Sequence, residues 1–206
     1  MTSDLGNDIK QAYDELGVPF SIWDLDDGTL SDGGKLWFER STQLTKPFIV
    51  ELFAIARFNY ITSVQEGNII KFNNEYWLLT SKEPDFFEGV PYMFNSVIYK
   101  CNILGGLYRF PTTNTRGSDY EITSTPAFVK TIRGTLYGTA QGGSAPIEMP
   151  YGEVLSVKQE AYFPKDFGIQ DQDRLVLTTG EVYKIENVFM SNFENIISCR
   201  ITGDER

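Results

Sequence analysis

Apolar and polar positions along this chain alternate mostly with a period of two, the signature of half-buried strands. One segment departs from it. Leu5, Ile9, Ala12, Tyr13 and Leu16 form an amphipathic stripe at helical spacing, Asp4 stands where a cap is expected, and Gly17 and Pro19 end the pattern. A short N-terminal helix is therefore predicted, either resting on a neighbouring barrel or serving as an arm that docks on another subunit through Ile9 and Tyr13.

From Pro19 onward the pattern predicts strands. Phe20–Leu25 alternates, Asp26-Asp27-Gly28 and Ser31-Asp32-Gly33-Gly34 read as turns, and Lys35–Ser41 reads as a further short strand. The run after Pro47, Phe48–Ile55, is rich in strand formers, with a helix as the lesser option. Gly67–Phe72, the Asn73-Asn74 turn and Glu75–Thr80 predict a tight hairpin, because Asn tolerates positive φ. A long apolar loop, Lys82–Met93, is expected next, followed by a strand over Ser96–Asn102. Gly105–Ser124 is poor in core residues. Strands are expected again over Ala127–Ile132 and Gly152–Tyr162, with a soft stretch at Gly138–Pro146 between them.

The second half echoes the first. Asn68–Leu78 resembles Asp173–Ile185, and each hairpin is followed by a strand closing on a cysteine, Cys101 or Cys199. Thr125-Pro126-Ala127-Phe128-Val129 partly matches the segment around Pro47. The offsets are 79 residues for Pro47 and Pro126, 105 for Asn68 and Asp173, 107 for Tyr76 and Tyr183, and 98 for the cysteines. Length changes confined to loops would account for them, including two extra residues in the second hairpin turn; chance recurrence of a common hairpin is the competing explanation. The predicted class is mainly β: a short N-terminal helix plus two small tandem antiparallel β-barrel or sandwich modules. The expected division is a helical arm over 1–18, a first module over 19–108, a linker over 109–124 and a second module over 125–206.

Composition narrows the chemistry. The 206 residues include no histidine, which removes the commonest general base and most zinc and iron sites. No phosphate-binding glycine loop and no nucleophile elbow occurs. Asp24–Gly28 hints at a calcium loop but fails the spacing, since Gly28 is the fifth position and the twelfth is Lys35; a solvated turn is the better reading. No enzyme activity, metal or cofactor is expected, and the cysteines are read as buried apolar residues. With 18 basic and 28 acidic residues the net charge is −10, which disfavours general nucleic-acid binding. The start of the chain lacks a basic segment and an apolar core of signal type, and no run approaches about 18 apolar residues. A protein made or assembled in a reducing cytoplasm, without a membrane partner, is expected.

The loop containing Phe86, Phe87, Val90, Tyr92 and Met93 is the strongest candidate surface. Exposed apolar loops mark partner contacts; the alternative is that the loop folds back over its own barrel.

At these residues the chain resembles a known family. The runs KPFIVELF (Lys46–Phe53), EGNIIKFNNEYWLLTSKEP (Glu66–Pro84) and SVIYKCNI (Ser96–Ile103), echoed by DRLVLTTGEVYKIENV (Asp173–Val188), resemble the head-closure or stopper-type connector proteins of tailed phages. Asn68 departs from the family's usual Asp, which Asp173 restores. The resemblance implies a non-enzymatic virion protein of the neck. It would form a cyclic homo-oligomer of six or twelve copies between portal or adaptor and tail, assembled in the host cytoplasm. DNA would pass through transiently and without specificity, along an acidic wall for which Asp24, Asp26 and Asp27 are the candidates. The other readings are a different virion β-protein, such as a tail terminator, tail-associated or decoration protein, and a glycan-binding or glycan-active β-sandwich using Trp23, Trp37 or Trp77.

Overall fold

Two closed rings of antiparallel strands, joined by two residues, organise the chain. The computed structural model describes residues 8, 11–12, 15–40, 52–87, 89–111, 125–137, 159–190 and 193–204. The first ring contains β1 (Val18–Trp23), β2 (Leu30–Glu39), β3 (Phe53–Asn59), β4 (Ile69–Phe72), β5 (Glu75–Leu79) and β7 (Val90–Lys100). β6 (Glu83–Phe87) pairs only with β7. The order is β1-β2-β3-β7-β5-β4, and β1–β4 pairing completes the circle. The second ring contains β8 (Ile103–Arg109), β9 (Ala127–Tyr137), β10 (Gln159–Pro164), β11 (Arg174–Leu177), β12 (Val182–Met190) and β13 (Ile196–Gly203). Its order, β8-β9-β10-β13-β12-β11, repeats that of the first. Closure pairs every inner strand and limits exposed edges.

The repetition extends to single hydrogen bonds. Gly67 and Gln172 both have positive φ, and their N–H groups donate to Leu79 O and Ile185 O at 2.9 and 2.8 Å. Gln65 N donates to Asn68 Oδ1 at 2.8 Å, as Gln170 N does to Asp173 Oδ2 at 2.9 Å. Glu66 accepts from Lys82 N, as Asp171 accepts from Val188 N, at 2.9 and 2.7 Å. Each hairpin thus enters through the same side-chain-braced turn. The first hairpin then turns on Asn73 and Asn74, both at positive φ; the second uses Thr178, Thr179 and left-handed Gly180.

This register corrects parts of the sequence echo. Tyr76 matches Val182, and Trp77 matches Tyr183, because the second turn is longer by one residue and not two. Cys101 N donates to Tyr76 O as Asp204 N donates to Val182 O, so Cys101 matches Asp204. Cys199, opposite Ala161, matches Ser96, opposite Ala56. The cysteine offset misled because Cys101 lies just past the end of β7 whereas Cys199 lies within β13. By ring position the counterpart of β9, with Ala127–Val129, is β2; the segment after Pro47 lies outside the described residues up to 51.

Three further expectations change. Ser31–Gly34 lies within β2, where the register slips between Phe20 and Ser21 and Gly34 takes a positive φ. Gly105-Gly106, expected at the end of the first module in a stretch poor in core residues, belongs to β8 of the second ring, so the chain crosses between rings at Cys101-Asn102 and not over 109–124. Glycine is needed here because a Cβ on Gly105 would lie 2.5 Å from Val176 O. The N-terminal helix is not borne out as an element: among the described residues no continuous α-helix forms, although Asp8, Gln11, Ala12, Glu15 and Leu16 have helical backbone. Ile9 and Tyr13 lie outside the described residues, as does 112–124.

The first ring is filled by Phe20, Leu36, Phe58, Ile70, Phe72 and Trp77, among others. The second is filled by Leu107, Ile132, Phe163, Leu175, Ile185 and Ile201, among others. The second cluster continues into Trp23, Ile69 and Leu78 of the first ring. Their neighbours Ile22, Ile70 and Leu79 pack with the first core, so these strands are apolar on both faces. The joint between the rings thus joins two cores.

Candidate functional site

The apolar segment read as a loop is a β-hairpin arm. β6 and β7 pair Glu83↔Asn95, Pro84↔Phe94, Asp85↔Met93, Phe86↔Pro91 and Phe87↔Val90, with left-handed Gly89 in the turn. The arm's base is held by the ring, where Met93 and Asn95 pair with Asn59 and Arg57 of β3. Phe86, Phe87, Val90 and Pro91 lie beyond those pairings. Tyr92 is the extra residue at the ladder's slip, and its hydroxyl donates to Asp85 Oδ2 at 2.9 Å. That hydrogen bond to a carboxylate raises the Tyr92 pKa. Tyr92 and Met93, half-buried, therefore brace the arm, while Phe86 and Phe87 are 56% and 51% exposed at its end. Adjacent strand residues normally face opposite sides; here both sides of the arm are wet. Charges at Glu83 and Asp85 and proline at Pro84 and Pro91 discourage indiscriminate edge pairing.

The acidic candidates sit together in the β1–β2 turn, but their first role is local. Asp24 Oδ1 accepts from Asp26 N and Asp27 N at 2.7 and 3.1 Å. Asp27 Oδ1 accepts from Thr29 N and Oγ1 at 2.8 and 2.7 Å, which lowers the Asp27 pKa. Asp26 reaches across to Lys130 of β9 at 2.8 Å. The turn is a set of Asx motifs tied to the second ring.

Of the tryptophans, Trp23 and Trp77 are buried at 5% and 2% and Trp37 is 44% exposed, so no row of exposed indoles forms a glycan platform. Among the described residues no group of three His, Cys, Asp or Glu side chains could hold a metal ion. No described helix is long and apolar enough to cross a membrane.

Sequence reasoning missed the joint between the rings. The Arg133 guanidinium lies 3.6 Å over the Tyr76 ring and 5.4 Å from that of Trp23. Trp23 meets Phe167 edge-on at 6.1 Å, and Tyr99 meets Tyr162 and Phe193 at 5.7 and 6.5 Å. Asn102 clamps the backbone of Leu136, accepting from its N–H at 2.6 Å and donating to its carbonyl at 2.9 Å. Paired apolar neighbours, Ile69-Ile70 and Leu78-Leu79, were the available signal, since a strand wet on one face alternates.

Cys199 is fully buried, and desolvation pushes its thiol up to about 12. The expected outcome is no alkylation of Cys199 in the native protein at pH 8 and full alkylation in urea, read by mass spectrometry. The sign for stability follows from a folded pKa above the ordinary 9.0. The neutral thiol's contribution is complete below about pH 9 and declines as pH rises towards about 12.

No protein family, curated protein or solved structure gives a match to this chain.

Proposed function

We propose that this chain is a non-enzymatic assembly subunit of a tailed-phage neck, of the head-closure type. It forms a ring between portal or adaptor and tail, closes the filled head and presents a platform to the tail. The observation that carries this reading is the β6–β7 arm. The first ring closes through β3–β7 pairing without β6, so Phe86 and Phe87 are spare apolar surface held out on a braced strand pair. The net charge of −10 supports the same reading, because an acidic lumen lets DNA slide without sticking. The sequence resemblance at Glu66–Pro84 and Asp173–Val188 supplies the virion context.

Sedimentation and electron microscopy of the purified chain test it. Cyclic oligomers are expected for the parent chain. The double substitution Phe86→Ser, Phe87→Ser is expected to leave a folded monomer with an unchanged far-UV spectrum. A parent chain that stays monomeric at high concentration, alone and with portal rings, defeats the reading. A double variant that unfolds makes the arm part of the core. Copy number within particles separates a head-closure ring from a tail terminator or decoration protein.

A further inference from the structure

The joint between the rings is head-to-tail. The first ring contributes Trp23, Ile69, Tyr76, Leu78 and Tyr99; the second contributes Arg133, Tyr162, Phe167 and Phe193. The two rings share one strand order and much of their register, so each face has a counterpart on the other ring. Trp23 corresponds to Tyr108, since Ile69 and Arg174 pair with them in turn. Tyr76 corresponds to Val182, and Leu78 to Lys184. On the other side Arg133 corresponds to Lys35, Tyr162 to Arg57, and the β12–β13 turn with Phe193 to the β6–β7 arm. A two-fold joint would use the same face on both rings. This joint does not, because Tyr108, the counterpart of Trp23, meets Phe128 of its own ring edge-on. Among the described residues each chain therefore keeps one copy of either face outside this joint.

We infer that these two faces meet between neighbouring copies: the first ring's arm docks on the β8–β11–β12 side of the next copy's second ring. Repetition of a head-to-tail contact generates a closed ring or a filament. The contact is not an identical copy of the internal joint. Gly67 lets the β12–β13 turn come close, where a Cβ would lie 2.7 Å from Asn195 O; Gln172 carries a side chain at the matching place. The β6–β7 arm compensates by length. Between matched positions it has nine residues, 85–93, against six, 191–196. An open cleft of about 560 Å³ lies where its end would arrive, lined by Arg109, Phe110, Pro111, Gln170, Gln172 and Asp173. Phe86 and Phe87 are the side chains available to fill it. The exposed Tyr60 and Ile61 stand beside Thr62, the counterpart of Phe167, and widen the same face.

This inference rests on the assembly reading for the role of the arm, and disulfide trapping tests it separately. Two full-length chains, one with Phe87→Cys and one with Gln170→Cys, are mixed and oxidised with copper phenanthroline. A disulfide between positions 87 and 170 is expected in the mixture and is lost when either chain is oxidised alone. A second pair, Lys35→Cys with Tyr108→Cys, reports the counterpart of the Arg133–Trp23 contact if the arm variant associates poorly. Homodimers of Phe87→Cys would overturn the inference in favour of a two-fold contact. An oligomer that yields neither link would overturn it while leaving the assembly reading intact. Linked open filaments would uphold the joint and overturn the closed ring, and a chain that remains monomeric would overturn both.

Discussion

Replacing Trp77 with alanine is expected to cost about 4 kcal/mol of folding stability, the loss typical of a large aromatic removed from a core. Trp77 is 2% exposed and stacks on Phe72 at 5.6 Å, with Phe38 edge-on at 5.5 Å. Deleting the indole leaves a cavity between β2, β4 and β5 that the closed ring resists collapsing. Trp77→Phe supplies the control. The indole N–H finds no acceptor among the described residues, so phenylalanine removes a buried unpaired donor while retaining a ring. A loss below about 1.5 kcal/mol is expected for it. Urea denaturation followed by circular dichroism measures both, and equal losses in the two variants would show that ring volume is not what matters.

Asp173→Ala is expected to cost about 3 kcal/mol. Its carboxylate is buried and takes Arg109 Nε and Nη2 at 2.8 and 2.7 Å, and it also accepts from Gln170 N. Removing it takes the acceptor from Gln170 N and strips Arg109 of its carboxylate partner, though Arg109 is partly exposed to solvent and keeps the Gly168 carbonyl at 2.8 Å. The first ring indicates how to separate the two contributions. Asn68 performs the same turn-bracing role with a neutral amide. Asp173→Asn should therefore keep the turn and lose mainly the charge-assisted pair, for a loss of about 1–2 kcal/mol. If asparagine proves as damaging as alanine, the ion pair and not the turn dominates.

Much of this architecture was legible in the sequence for local reasons. Asn73-Asn74 and Gly180 announce their turns as residues that accept positive φ, and Asn68 and Asp173 were already aligned by type. Other features depend on partners distant in sequence. Gly105-Gly106 looks like a linker until Val176 is seen to approach it. Pro84 and Pro91 suggest a loop, yet both fit the ladder of an outlying arm. Trp23 and Trp77 differ only in which side of the first barrel they face. Period-two alternation cannot separate an inward side from a side covered by another barrel. Arg133 carries no motif at all; its place on Tyr76 exists only once the barrels meet. The exposure of Phe86 and Phe87 was legible more directly, through their position between two strand signals.

The shared strand order also bears on synthesis. In each barrel the last strand to leave the ribosome is the one that seals it: β7 bonds to β3 and β5, and β13 to β10 and β12. The first barrel has all its strands by Lys100, before any strand of the second exists. Two modules of one design are prone to exchange equivalent strands when they fold together. Vectorial emergence, with only Cys101 and Asn102 between the sealing strand of one barrel and the opening strand of the next, removes that competition in time. The finished first barrel then presents Trp23, Tyr76 and Tyr99 as a template on which its successor condenses.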